Sequence, residues 1–99
     1  MIHKLKCWPE YFQAMLDGRK TFEARRNDRN FQVNDVLILQ EWAPADSIHS
    51  AVGTYSGREI KAIVTYILHG SEANQIIGVN DGFCVMGIKI AGVAMTNTP

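Results

Sequence analysis

The chain has 99 residues, the usual length of one domain and too short for two separate hydrophobic cores. An apolar fraction of 46% and a charged fraction of 20% exclude an intrinsically disordered chain. A formal net charge of zero argues against nucleic-acid binding through bulk attraction to phosphates. We therefore expect a single domain over residues 1–99, with a core over about 2–92 and a disordered tail at 93–99.

The composition also bounds the cellular setting and the cofactors. No apolar run approaches the roughly 20 residues of a membrane helix, and the N-terminal segment lacks the apolar stretch of a signal peptide. We expect a cytoplasmic protein with no membrane partner. Cys7 and Cys84 lie far apart without metal-ligand spacing, and the three histidines are dispersed. The sequence thus predicts no metal and no cofactor, and it favours both cysteines as small buried apolar side chains.

The first third of the chain predicts a strand and then a helix. Residues 3–7 alternate, with His3, Leu5 and Cys7 on one side, as in a half-buried strand. Pro9 suits the first turn of a helix over about 9–17, and Gly18 suits its C-cap. The apolar stripe of this helix is Phe12, Met15 and Leu16.

A second alternating segment, KTFEARR, follows the helix. Its period of two predicts a strand with Phe22 and Ala24 on the core face. The opposite, charged face holds Thr21, Glu23 and Arg25. We expect this face to be solvated or to line a site.

The rest of the chain predicts β-structure separated by loops. A turn region over 27–35 leads to a strand at 36–42, and a long exposed loop is expected over 43–57. A strand at 58–69 has apolar residues on both faces and places Tyr66 in the core. After a second loop at 69–82, the last strand has an inward row consisting of Cys84, Met86, Ile88 and Ile90. Gly87 and Gly92 are expected at bends or bulges.

One helix followed by several β-rich segments predicts an α+β fold. We expect a small, mostly antiparallel sheet that is closed into a β-barrel or nearly so, with the early α-helix covering one end.

The segment after the helix also carries a motif, G-x-K-x-x-E-x-R, followed by F-x-V-x-D. The motif residues are Gly18, Lys20, Glu23 and Arg25, then Phe31, Val33 and Asp35. Over about residues 2–90 the chain resembles the ASCH superfamily of PUA-like domains, in particular a short bacterial and phage branch. The resemblance implies a PUA-like β-barrel with a cleft beside the early helix, and it implies binding of RNA or of a nucleotide.

The same resemblance leaves an enzymatic alternative open. Some related proteins are amidohydrolases that act on N4-acetylcytidine through a lysine, a threonine and a glutamate. Lys20 matches the lysine, but Glu23 stands in the place of the threonine, and Glu72 is the acidic candidate downstream. Motifs of the better-marked hydrolases, nucleotide triphosphatases and zinc deaminases are absent from the sequence. We rank binding above catalysis, with Lys20 as the catalytic residue if there is an activity.

The residue types around Glu23 suit nucleotide binding. A carboxylate between Lys20 and Arg25 is expected to be ionised and to accept a hydrogen bond from a base amino group, while neighbouring cations contact a phosphate or a carbonyl. Trp8 and Tyr11 can stack on a base, although Trp8 is equally suited to packing against the helix. The predicted binding residues are Lys6, Trp8, Tyr11, Lys20, Thr21, Glu23, Arg25 and Arg26.

Two other interpretations remain at this point. The charged segment GRKTFEARRNDR fits a surface ladder of salt bridges on a strand edge, each pair contributing less than about 1 kcal/mol. Alternatively, the domain binds a protein partner through the loops at 43–57 and 69–82.

Overall fold

The computed structural model describes residues 1–46 and 51–95. The elements in chain order are β1 (Ile2–Cys7), α1 (Pro9–Leu16), β2 (Phe22–Arg26), β3 (Val36–Ala43), β4 (Thr54–His69), a short 3-10 helix (Asn74–Ile77) and β5 (Phe83–Met95). One early helix followed by strands confirms the predicted α+β class. Helix α1 ends one residue earlier than predicted, and Gly18 takes the positive φ of 77° expected of a residue that ends a helix.

The strands form one five-stranded sheet in the order β1-β3-β4-β5-β2. Only the β1–β3 pairing is parallel among these described strands, so the sheet is mostly antiparallel as predicted. β1 and β2 are the two edge strands, and side chains rather than paired backbones join them. The Arg25 guanidinium of β2 donates to the Lys6 carbonyl oxygen, and Arg29 Nη1, from the segment that follows β2, donates to the Lys4 carbonyl oxygen over 3.0 Å. The sheet is therefore a curled half-barrel whose open seam lies between β1 and β2.

The concave face of the sheet holds the core, and α1 and Phe31 cover it. The predicted inward rows of β1 and β5 are confirmed for His3, Leu5, Cys7, Cys84, Met86 and Ile88, which are all buried. α1 contributes Phe12 and Met15, which are fully buried. Ile90 is exposed, contrary to prediction, because it lies at an opening near Gly18 beyond the end of α1.

The faces of β2 are the reverse of those predicted. Phe22 is 45% exposed and Ala24 is exposed, whereas Glu23 is only 6% exposed. The pairing with β5 gives the reason. Glu23 lies opposite Met86, and residues paired across strands point to the same face, so a core methionine places the glutamate inside.

A β-bulge explains the position of Tyr66, which is 67% exposed rather than in the core. Val64 pairs with Ile88, but the next pair is Tyr66 with Gly87, so Thr65 is an extra residue in β4. One inserted residue turns the following side chains to the other face. A second shift in register lies beside Gly92, so both glycines lie next to bulges, as predicted.

Two segments predicted to lack regular structure are part of the sheet. Thr54 and Tyr55 of the predicted 43–57 loop pair with Ala43 and Trp42, which lengthens β4 at its start. Residues 93–95 of the predicted tail pair with residues 58–60 of β4 and belong to β5. Cross-strand pairing holds these segments despite their weak sequence pattern. Residues 47–50 and 96–99, which also fall in that loop and tail, lie outside the described residues.

Candidate functional site

The seam between β1 and β2 opens into a cleft of about 360 Å³ beside the start of α1. We call it the seam cleft. Its predicted lining residues are Lys6, Trp8, Tyr11, Glu23, Arg25 and Arg26, and Cys7 and Ala24 complete it. Strand β1 and the first turn of α1 supply one wall, and β2 supplies the other. The cleft therefore exists because the half-barrel does not close.

Glu23 is the buried charge of the seam cleft. Its Oε1 lies 3.3 Å from Lys20 Nζ, and its Oε2 lies 3.6 Å from Arg25 Nη2, which is beyond hydrogen-bond distance. Oε2 is buried and has no hydrogen-bond partner within the described parts of the chain. A buried carboxylate oxygen is normally hydrogen-bonded, so Glu23 retains an unused acceptor in the wall of the cleft.

Lys20 holds Glu23 in place. Its Nζ donates to the Phe22 carbonyl oxygen over 2.9 Å and to Glu23 Oε1 over 3.3 Å. The same ammonium lies 5.5 Å from the centre of the Tyr11 ring and 5.0 Å from that of Phe22. The predicted Lys20–Glu23–Arg25 cluster thus forms, but Lys20 is engaged within it rather than free for a phosphate. Two of the predicted binding residues, Lys20 and Thr21, lie outside the lining of the seam cleft and line the opening near Gly18.

The remaining cations stand around the rim of the cleft. The Arg25 guanidinium bridges to the Lys6 carbonyl oxygen. Arg26 lies 5.1 Å above the ring of Phe83, and Lys6 Nζ lies 4.4 Å above the ring of Trp42. These cation–π contacts fix the direction of long side chains without using a carboxylate. The cationic charge of Lys6 and Arg26 is therefore positioned but is not neutralised by either contact.

Two aromatic rings stand at the cleft in a parallel arrangement. The rings of Trp8 and Tyr11 have centroids 6.3 Å apart and planes inclined by 15°. Both side chains are about half exposed, and Trp8 is the N-cap residue of α1. Pro9 at the first helical position fixes the turn that carries them. Packing of Trp8 into the core, the alternative interpretation of the sequence, does not occur.

Cys7 is a cleft residue that the sequence did not identify as one. It is the last residue of β1, and it is buried at the base of the cleft. Burial raises the pKa of its thiol to about 11, and the negative charge of Glu23 adds to the rise. The sequence did contain a signal for this placement: the alternation of β1 turns Cys7 inward, and Cys7 comes directly before Trp8.

Two other buried carboxylates are fully paired, in contrast to Glu23. Asp35 Oδ2 accepts from His3 Nε2 over 2.8 Å, and this bond, against the cost of burial, lowers the pKa of Asp35 to about 2. Glu41 accepts two hydrogen bonds from Arg58, at 2.9 and 3.0 Å, which lower its pKa. His3 is therefore a structural residue of the core.

Other candidates lie away from the cleft. Glu72, the acidic residue considered for catalysis, is exposed in the 69–82 segment and does not line the seam cleft.

Within residues 1–46 and 51–95, no cluster of three His, Cys, Asp or Glu side chains is placed to hold a metal ion. No helix in the same residues is both long enough and apolar enough to span a bilayer.

Comparison with known proteins places the chain in a family. It is 38% identical over 64 residues to the "Uncharacterized 12.9 kDa protein in GpA 3'region" of Escherichia phage P2. That match covers 65% of this chain and 51% of the phage protein, so the chain spans about half the length of this relative. A family model described as "Domain of unknown function (DUF3850)" matches residues 2–88, which include every strand except the end of β5. The chain belongs to the DUF3850 family.

Proposed function

We propose that this domain binds a nucleotide, either free or as a unit of RNA, in the seam cleft of a PUA-like half-barrel. The observation that carries the proposal is the buried Oε2 of Glu23, a residue that lines the cleft: this oxygen lies 3.6 Å from Arg25 Nη2 and has no hydrogen bond within the described residues. A ligand that donates a hydrogen bond to this oxygen completes the site.

Leaving a buried acceptor unpaired costs free energy, roughly 1–3 kcal/mol for an uncharged group and more for a charged one. A ligand N–H at Oε2 recovers this cost on binding. The exocyclic amino groups of cytosine, adenine and guanine are donors of this kind, and a carboxylate is a known acceptor for the cytosine amino group. Uracil also has an N–H, but that donor lies in the ring at N3, whereas an exocyclic amino group projects from the base edge and can reach a buried oxygen. We therefore expect Glu23 to favour bases that carry an amino group.

The other walls of the cleft match the remaining parts of a nucleotide. Trp8 and Tyr11 offer exposed aromatic surface on which a base can stack. Lys6 and Arg26 bring positive charge to the rim, where a phosphate can lie in solvent. The volume of about 360 Å³ is at the lower end of the range for small-ligand sites, which is appropriate for one nucleotide.

The contacts of Lys20 favour binding over amide hydrolysis. A lysine that activates water must offer a lone pair to a proton, whereas Lys20 Nζ donates to the Phe22 carbonyl and to Glu23. Lys20 here orients the carboxylate. Hydrolysis of a modified nucleoside is the second candidate, on the motif match at Lys20, and a protein-binding role is the third, on the exposed Ile76 and Ile77 of the 69–82 segment.

The test is a titration with the nucleoside monophosphates and with N4-acetylcytidine, followed by backbone amide NMR. We expect shifts that centre on residues 6–11 and 23–26, with CMP, AMP or GMP binding more tightly than UMP. Glu23→Gln keeps the shape of the side chain but places a donor in the site, and it should weaken the preferred ligand at least about tenfold. Glu59→Gln on β4, away from the seam cleft, is the matched control and should bind as the unmodified protein does.

Each outcome of this titration has a meaning. Equal affinity of Glu23→Gln and the unmodified protein, or shifts that lie outside the cleft, contradict the proposal. Release of acetate from N4-acetylcytidine, lost in Lys20→Ala, establishes hydrolysis instead. If no ligand shifts the amide signals of the cleft residues, the proposal is contradicted and protein partners of the 69–82 segment are to be tested next.

A further inference from the structure

A second cleft, of about 380 Å³, adjoins the seam cleft at the far side of β2. The two clefts share the three residues of β2 from Ala24 to Arg26. The other walls of the second cleft come from residues 78–80 and from the start of β5, including Phe83. We call it the β5 cleft. Because both clefts include the same segment of β2, a ligand can pass from one to the other without leaving the surface.

The β5 cleft repeats the combination of aromatic surface and cation found in the seam cleft. Phe83 is paired with Arg26 across the two strands, is about half exposed, and has the Arg26 guanidinium 5.1 Å from its ring centre. Because the guanidinium covers one face of the ring, a base would stack on the opposite face or on the guanidinium plane itself, while the same cation contacts the phosphate. Arg26 stands between the two clefts, where the phosphate joining two nucleotides would lie.

The backbone around Phe83 is held on both sides, so the second aromatic surface is preformed. Phe83 N donates to the Asn80 carbonyl oxygen over 3.1 Å, and Gly70 N donates to the Phe83 carbonyl oxygen over 2.7 Å. Asn27 N donates to the Gly82 carbonyl oxygen over 2.8 Å and ties β2 to the same turn. A backbone that is already ordered at Phe83 lowers the entropy cost of binding a base on its ring.

We propose that the ligand is a single-stranded oligonucleotide of at least two units, which crosses β2 with one base in the seam cleft and the next base on Phe83. This inference rests on the proposed nucleotide site and adds a direction and a second subsite to it. The zero net charge fits a short footprint, since an extended strand requires many phosphate contacts.

The experiment measures affinity as a function of ligand length. Mononucleotides, dinucleotides and hexanucleotides that carry the preferred base are compared by fluorescence anisotropy or calorimetry at one salt concentration, as ribose and deoxyribose series. We expect the dinucleotide to bind about tenfold more tightly than the mononucleotide, since one stacked base contributes a gain of this order. The preference between the two series identifies RNA or single-stranded DNA as the source.

Variants assign this gain to the β5 cleft. Phe83→Ala should abolish the advantage of the dinucleotide and leave the affinity for the mononucleotide within about twofold. Phe83→Leu keeps apolar bulk without a ring and should also lose most of the advantage, which separates stacking from a folding defect. Tyr66→Ala removes an exposed aromatic outside both clefts and should leave the advantage intact.

Failure of the second subsite and failure of the nucleotide site give different results in this experiment. Binding of the mononucleotide with no gain for the dinucleotide, or with an equal gain in all three variants, overturns the second subsite and leaves the nucleotide site standing. Absence of binding for every length overturns both proposals.

Discussion

The Arg25 guanidinium donates a hydrogen bond to the main-chain carbonyl oxygen of Lys6, and this contact joins the two edge strands of the sheet. An edge strand normally exposes unpaired backbone groups. Here a side chain from β2 satisfies one such group on β1 and keeps the strands far enough apart for a cleft. The same guanidinium lies 3.6 Å from Glu23 Oε2.

Arg25→Ala should therefore loosen the seam. We expect the free energy of unfolding to fall by about 1–2 kcal/mol, because a charge-assisted hydrogen bond is lost and Glu23 loses a nearby cation. Arg25→Lys should recover only part of the loss, since an ammonium lacks the fork of the guanidinium. Urea denaturation measures the free energy of unfolding of both variants. Arg19→Ala, which removes an exposed ion pair with Asp17, is the control, and an equal loss in that variant would contradict the bridging role.

Glu23 should contribute to binding rather than to stability. In Glu23→Gln the amide oxygen still accepts from Lys20, while the buried negative charge disappears. Glu23→Gln leaves Lys20 and Arg25 without their carboxylate, but both cations are partly exposed and the hydrogen bond from Lys20 is kept. We therefore expect the free energy of unfolding to fall by no more than about 2 kcal/mol, while ligand affinity falls at least about tenfold. Thermal unfolding and the titration described above are measured on the same preparation. A loss of several kcal/mol with unchanged affinity would make Glu23 a structural residue.

Asp35 should make the domain sensitive to acid. Its pKa is about 2 in the folded chain, against an ordinary value of 3.8, so its contribution is complete above about pH 5 and is lost as the pH falls toward 2. The contribution is at most about 2 kcal/mol. The free energy of unfolding, measured by urea denaturation, should fall less between pH 6 and pH 2 for Asp35→Asn than for the unmodified protein. An equal fall in the two proteins would contradict this assignment.

The Glu41–Arg58 pair should stabilise the sheet beside the base of the cleft, since Glu41 pairs with Cys7 between β3 and β1 and the Arg58 guanidinium lies 4.9 Å from the ring centre of Phe12. Within the described residues, Arg58→Ala leaves the buried Glu41 carboxylate with only Ser56 as a hydrogen-bond partner, and it should lower the melting temperature more than Glu41→Gln does. The double variant should be less damaged than the sum of the two single changes, which a double-mutant cycle measures. Additive effects would show that the pair is not coupled.

The thiol of Cys7 should react slowly with alkylating reagents. With a pKa of about 11, only about one molecule in a thousand carries the thiolate at pH 8, so alkylation by iodoacetamide should be roughly a hundredfold slower than for a free cysteine. Because Glu23 adds to the rise in pKa, Glu23→Gln should increase the rate. Peptide mass spectrometry resolves Cys7 from Cys84. Labelling of Cys7 in the folded protein as fast as in urea would contradict the placement at the base of the cleft.

Local patterns were sufficient for the elements that build the cleft. The alternation in β1, the stripe of α1 and the left-handed Gly18 all depend on neighbours in sequence, and each matches the structure. The grouping of Lys20, Glu23 and Arg25 also followed from strand parity and a short turn.

Features set by partner strands were not predictable in the same way. Glu23 is buried because it pairs with Met86, more than 60 residues away, and no local pattern contains that register. Tyr66 is exposed because a single extra residue in β4 reverses the parity of the strand. The β5 cleft depends on residues 78–83 meeting β2, a contact that also lies outside any local window.

The pairing of β2 with β5 has a consequence for the synthesis of the chain. Glu23 and Arg25 leave the ribosome before the strand that orients them, which consists of residues 83–87. Until that segment emerges, β2 has no backbone partner in the sheet. A nascent or truncated chain that stops before residue 83 should therefore contain the whole motif and lack the proposed nucleotide site, which should form only when translation has passed β5.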